Sequence, residues 1–207
     1  MRRAMRLLGI GLLLAGMVLV GFTFLHNWQA DHEYSDTQQK LHEVLRKSAA
    51  PSAAADQKKP VFHEGDALAV LKIPRFGAEY SAVILEGVSR GTLEKGPGHF
   101  PGTAMPGEVG NFAVAGHRTG WGQPFHRLPE LEKGDVIKVG REGTEYSYRV
   151  TRTKVVSPSD IGVVLPVPNE PDSKADKARI TLTTCTDRGW NGTYVHRLVA
   201  WGELDKG

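Results

Sequence analysis

Residues Leu7–Leu25 (LLGIGLLLAGMVLVGFTFL) form nineteen consecutive positions without a charge. In hydrocarbon every backbone N–H and C=O must be bonded within the segment, so such a run is restricted to a helix. Its length is close to the roughly 20 residues that cross a bilayer core. Arg2, Arg3 and Arg6 precede it, and Asp31 and Glu33 follow it. The positive-inside bias therefore predicts a cytoplasmic N-terminus at residues 1–6, a single span at residues 7–25, and everything downstream on the outer face. A cleaved signal peptide is the alternative. The run is longer than the roughly 7–15 residues of a signal h-region, and no small-x-small site closely follows it.

The sequence pI of about 9.0 invites a nucleic-acid reading. The chain has 26 basic and 23 acidic residues, and the three arginines ahead of the apolar run account for the whole excess. The remaining chain is formally neutral and lacks a basic face for phosphates, so no nucleic-acid partner is expected.

Residues 26–60 read as a stalk and linker. His26–Lys47 is polar and able to continue as a helix, with Leu41, Val44 and Leu45 as its apolar stripe. Ser48–Pro60 (SAAPSAAADQKKP) offers nothing larger than alanine or proline to pack and reads as a flexible linker. The folded domain is expected over residues 61–207. There the punctuation is that of a β-protein: short runs rich in Val, Ile, Tyr and Thr between Gly, Pro and Asp. Candidate strands are Ala67–Ile73, Ser81–Leu85, Asn111–Ala115, Asp135–Val139, Glu145–Val156, Arg179–Cys185 and Tyr194–Trp201. That number of short strands fits a closed barrel or a sandwich. Only Ser89–Lys95 and Pro124–Leu131 look helical, which disfavours a doubly wound parallel sheet. Ser157–Lys177 carries four prolines and reads as a long loop, with Ile161–Val167 apolar enough to line a groove.

Cys185 is the only cysteine. In an exported domain it has no partner for an internal disulfide, which leaves a small buried core residue or a reactive thiol. It ends the strand Arg179–Cys185, in which Thr181, Thr183 and Cys185 share one face while Leu182 and Thr184 share the other. Val195, Arg197, Val199 and Trp201 share a face of the next strand. If the two pair antiparallel across Thr186–Thr193, Arg197 lies beside Cys185. A thiol attacks as thiolate and needs a base or cation nearby. Of eight histidines, His26, His32, His42 and His63 lie in or at the edge of the stalk. His196 faces away from Arg197, and His126 sits in a surface turn. His117 ends the apolar run Asn111-Phe112-Ala113-Val114-Ala115-Gly116-His117 as Cys185 ends its own, so the two can meet at one rim of a barrel.

These residues resemble the sortases, the cysteine transpeptidases of Gram-positive cell surfaces. The resemblance is carried by Thr181-Leu182-Thr183-Thr184-Cys185, by Ala115-Gly116-His117 and by Arg197, and extends through Pro101-Gly102-Thr103 and Pro106–Asn111 to cover about residues 67–203. It implies an all-β fold, a closed eight-stranded barrel with one or two short helices. It implies Cys185 as nucleophile, His117 as general acid or base, and Arg197 as stabiliser of substrate and oxyanion. Ala115, Thr183 and Thr184 would be substrate-binding positions. The implied substrate is a surface protein with an LPXTG- or LAXTG-like signal, cleaved between Thr and Gly. The implied acceptor is the amine of a lipid II-like peptidoglycan precursor, at the membrane. The double threonine and the N-terminal anchor are most like class E, with class D next. Asp187-Arg188 stands where these classes often have a proline two residues after the cysteine. No acidic cluster of the calcium-binding kind is recognisable, and no metal or cofactor is expected. Two other readings remain: another cysteine-dependent cell-wall transpeptidase, such as an L,D-transpeptidase, whose Ser-His-Gly-Cys surround is missing, and a tethered β-barrel binding module with Cys185 merely buried.

Overall fold

A computed structural model of the chain describes residues 2–48, 61–188 and 194–205. The linker expected within residues 48–60 lies outside the described residues except for Ser48, as does the centre of the turn at residues 189–193.

Eight strands close on themselves. They are β1 (Ala67–Lys72), β2 (Ala82–Glu86), β3 (Gly98–His99), β4 (Gly110–Ala115), β5 (Val136–Arg141), β6 (Thr144–Val156), β7 (Ala178–Arg188) and β8 (Tyr194–Leu204). Around the barrel the order is β1-β2-β3-β4-β7-β8-β6-β5, and β5 returns to β1. Two joints are parallel, β2 with β3 and β4 with β7. Closure leaves each strand one face toward the interior and one toward solvent or a covering loop, which is the period-two pattern seen in the sequence. Leu71, Ile84, Phe112, Val114, Ile137, Val139, Ile180 and Leu182 fill the interior with no solvent exposure. Burying a side chain of this size contributes about 1.5–3 kcal/mol, so this layer is the main hydrophobic stabilisation of the barrel.

A second, smaller apolar layer sits outside the wall. Val156, Val163, Val199 and Trp201 cluster under the long β6–β7 connection. That connection is pinned by polar groups: the Asn111 amide donates to the carbonyls of Val163 and Leu165, at 3.3 and 3.0 Å. Thr181 Oγ1 donates to Asn111 Oδ1 at 2.8 Å. The stretch expected to line a groove is thus a 3-10 turn at Ile161–Val164, held over the outer face of β4 and β7.

The expected strands are all present, with ends shifted by at most three residues. β7 continues past Cys185 to Arg188, where Arg188 pairs with Tyr194, so the expected Thr186–Thr193 loop is shorter than the sequence reading gave. The two-residue β3 was not foreseen. Of the two short helical segments, the first is α2 (Arg90–Leu93), capped by Ser89. The second is reduced to a 3-10 turn at Leu128–Glu130.

The N-terminal helix α1 runs unbroken from Arg2 to Ser48. It includes one stretch long and apolar enough to cross a membrane. Its distal half is not a free stalk but lies along β1 and β2. Gln38 explains why. The Val83 N–H donates to Gln38 Oε1 at 2.6 Å, and Gln38 Nε2 donates to Val83 O at 3.3 Å and Lys95 O at 2.8 Å. β3 pairs only with Leu85 and Glu86 of β2, so the earlier part of that edge lacks a strand neighbour there. One side-chain amide thus satisfies a donor and an acceptor that would otherwise be orphaned. Of the expected apolar stripe, Leu41 and Leu45 are partly buried and Val44 is exposed.

Candidate active site

The parallel joint between β4 and β7 decides the geometry. Ala115, the last residue of β4, is in register with Thr183 of β7, and His117 and Cys185 each follow two residues later, His117 beyond the end of β4 and Cys185 within β7. The register carries on beyond the last paired residues. Gly116 N–H donates to Thr183 O at 3.1 Å, and Thr184 Oγ1 donates to Gly116 O at 2.7 Å. Glycine is required at 116 because a Cβ there would come within 2.6 Å of the Phe125 ring. On the other side of β7, Cys185 pairs directly with Arg197 of β8 in the antiparallel ladder. Residues directly opposite in such a pair have Cβ atoms about 4.5–5.5 Å apart, on one face.

The residues expected at the site therefore converge. Cys185 is partly exposed at the rim, and Arg197 donates to His196 O at 3.2 Å. Nε2 of His117 is buried and has no hydrogen-bond partner among the described residues. Burial holds the His117 imidazole below its ordinary range; the Glu94 carboxylate opposes this shift and Arg90 adds to it. Ala115 and Thr183 are paired neighbours on the approach to the rim, the first partly exposed and the second buried. Thr184 differs: it is buried, alternates away from Cys185, and commits its hydroxyl to Gly116 O. It acts as a brace between the two strand ends.

His196 faces away, as the alternation predicts, and pairs with Asp187 at 3.2 Å. Asp187 has φ +54°, so the residue that stands in place of the family's frequent proline adopts a left-handed conformation. His126 is exposed and contacts Arg118 O at 3.3 Å. His99 is committed elsewhere, with Nδ1 2.7 Å from Glu86 Oε2 in the barrel wall. Among the described residues no group of three or more His, Cys, Asp or Glu is placed to hold a metal ion.

One neighbour escaped the sequence reading. Trp121 stacks on the His117 ring, centroids 5.1 Å apart and planes inclined by 27°. The signal was the Thr119-Gly120-Trp121-Gly122 run, in which an aromatic between two glycines marks a turn that presents a ring.

The chain is similar to known proteins. A family described as the sortase domain matches residues 71–205. Sortase SrtE1 of Streptomyces coelicolor is 36% identical over 151 residues, which make up 69% of this chain and 42% of that protein. Sortase D of Bacillus subtilis is 28% identical over 201 residues, 91% of this chain and 93% of that one. The solved structure of sortase E from Streptomyces avermitilis superposes with a TM-score of 0.61 at 37% identity, covering 70% of this chain and 91% of that one.

Proposed function

Since the chain belongs to the sortase family of cysteine transpeptidases, we propose that it cleaves an LAXTG- or LPXTG-like sorting signal between Thr and Gly. The acyl group passes to an amine of a lipid II-like peptidoglycan precursor. The observation that carries this reading is the register of three neighbouring strands, with Ala115 opposite Thr183 and Cys185 opposite Arg197. A nucleophile, a proton carrier and a fixed cation then share one rim.

In this reading the Cys185 thiolate attacks the threonine carbonyl carbon, and a carbon–sulfur bond forms as the carbonyl oxygen becomes an oxyanion. The Arg197 guanidinium supplies charge-assisted donors to that oxygen. His117, as imidazolium, gives its proton to the departing glycine nitrogen when the C–N bond breaks. It then takes a proton from the incoming amine, which attacks the thioester and frees Cys185. The partnerless Nε2 supports this role, because a proton carrier needs one ring nitrogen uncommitted. The lowered pKa means the acid form is a minor population at neutral pH, and transfer to the leaving amine is correspondingly favourable. Ala115 and Thr183 would line the approach for the peptide.

The proposed topology is single-pass, with residues 1–6 cytoplasmic, residues 7–25 in the bilayer and the barrel, within residues 61–207, outside. What supports work close to the membrane is that Asp31, six residues past Leu25, accepts from Gly122 N–H in the loop after His117. At 1.5 Å per residue that loop stands about 9 Å beyond the apolar run. A membrane-held sorting signal and a lipid-linked amine are confined to the same layer.

The test uses the full chain in lipid nanodiscs with LAXTG and LPXTG peptides and a small amine, products being identified by mass. Cleavage between Thr and Gly with amine transfer, abolished in Cys185→Ala, is expected. Undiminished turnover by Cys185→Ala, or cleavage at another bond, overturns the assignment. Faster turnover of the LAXTG peptide would place the chain with class E in specificity as well as sequence.

A further inference from the structure

The loop after β4 holds four successive residues in the left-handed region: Gly120 (φ +73°), Trp121 (+47°), Gly122 (+67°) and Gln123 (+49°). For the two residues with a Cβ this costs roughly 1–2 kcal/mol each, and it persists only where the surroundings over-determine it. The surroundings are identifiable. From within, Phe125 N–H donates to His117 O at 3.0 Å and Gln123 N–H to Gly120 O at 3.1 Å. From the barrel, Tyr80 OH donates to Pro124 O at 2.8 Å.

From outside, the loop is clamped by α1. Gly122 N–H donates to Asp31 Oδ1 at 3.1 Å. Tyr34, one turn along, lies so close over Gly122 that a Cβ there would come within 2.1 Å of its ring. Burial drives the Tyr34 phenol well above its ordinary pKa, as expected of a ring seated against protein. Ala30, Glu33, Tyr34 and Thr37 of α1 enclose, with Glu94 and Trp121, a cavity of about 130 Å³ at this junction. Glu94 and Arg90 are also the charges that act on His117. The tip of the clamped loop is Trp121, stacked on the imidazole.

We propose that Asp31 and Tyr34 of the anchoring helix, with Trp121, are positioning residues for His117: the helix fixes the left-handed turn, and the turn fixes the ring. The proposal rests on the role given above to His117. Neither Asp31 nor Tyr34 touches the reacting atoms. Their effect passes through Gly122 and Trp121, so the helix acts on the active site without entering it.

The experiment uses the full chain in nanodiscs, with Tyr34→Ala, Asp31→Ala and Trp121→Ala beside the conservative Tyr34→Phe and Trp121→Phe. Release of the ring is expected to lower kcat about tenfold or more in the alanine variants, misplacement of about 1 Å being enough for a hundredfold loss. KM should stay within twofold, and the phenylalanine variants should recover most of the activity. The His117 C2-proton, assigned by its absence in His117→Asn, should titrate at higher pH in Trp121→Ala, which removes the ring that covers it, and in Tyr34→Ala, which removes the contact that seats the Trp121 turn, because either change admits water. If Tyr34→Ala fails to fold, Asp31→Ala, which removes one solvent-exposed hydrogen bond, carries the same comparison. Unchanged kcat and unchanged titration, with at most a lower Tm, overturn the proposal. Should the wild type process no sorting peptide, the functional reading fails alone, since the His117 titration still reports whether α1 governs the ring.

Discussion

Replacing Thr184 by valine removes one hydroxyl and keeps the side-chain shape. In the wild type that hydroxyl donates to Gly116 O at 2.7 Å from a side chain only 3% exposed. The variant leaves the Gly116 carbonyl without its Thr184 donor, at a cost of about 1–3 kcal/mol. For a chain of this size each kcal/mol lowers Tm by roughly 2–4 °C, so a fall of about 3–6 °C is expected for a loss near 1.5 kcal/mol. The catalytic effect should be larger in proportion. Gly116 precedes His117, and loosening the tie lets the imidazole drift from Cys185, where misplacement by about 1 Å costs on the order of a hundredfold in rate. Thr184→Ser supplies the contrast: it loses one methyl, about 0.8 kcal/mol, but keeps the donor. In differential scanning fluorimetry the serine variant should lose about half as much Tm as the valine variant, yet the two should differ far more sharply in kcat on the sorting peptide, with serine near wild type. Equal losses of kcat in both, or a valine variant within twofold of wild type, would refute the idea that this bond aligns the two strand ends.

Two further outcomes follow from the same structure. Gln38→Ala strips Val83 of both partners on its outer edge, so local opening should become easier by roughly 2 kcal/mol, seen as about thirtyfold faster hydrogen exchange at the Val83 amide. Exchange no faster than wild type would mean that a neighbouring group closes this edge. For His117, burial lowers the folded-state pKa, so below about pH 6.5 the unfolded chain binds more protons than the folded one. Its contribution to stability is complete above that pH and is lost as pH falls toward the folded value. The Tm of wild type should therefore drop more steeply between pH 7 and pH 5 than that of His117→Asn. Parallel curves for the two proteins would contradict it.

How much of this was legible in the sequence depends on which physical signal each part emits. The strands were readable because their runs are short, rich in apolar and β-branched residues and bounded by Gly, Pro and Asp, and in Ala178–Arg188 the alternation of Ile180 and Leu182 with Thr181 and Thr183 records the two faces of the wall. The pairing of Cys185 with Arg197 was readable because two consecutive strands alternate at countable offsets from the turn between them. β3 was not: Gly98–His99 is two residues, too short to display any period. The docked half of α1 was misread for a different reason. Its barrel-facing positions Asp31, Tyr34, Gln38, Leu41 and Leu45 recur at helical spacing, but the residues that secure the contact are an acid, a phenol and an amide. A search for apolar periodicity sees only Leu41, Val44 and Leu45, and Val44 points to solvent.

A helix fixed mainly by hydrophobic packing could slide or rotate with modest loss, because burial is not directional. Hydrogen bonds from Gln38 to one residue of β2 and from Gly122 to Asp31 permit one register and one rotation. A polar interface is thus suited to a tether that sets the distance between bilayer and catalytic rim. It also helps to hold a costly left-handed loop beside His117, because Asp31 and Tyr34 add to the loop's own hydrogen bonds contacts that exist only when the helix is seated.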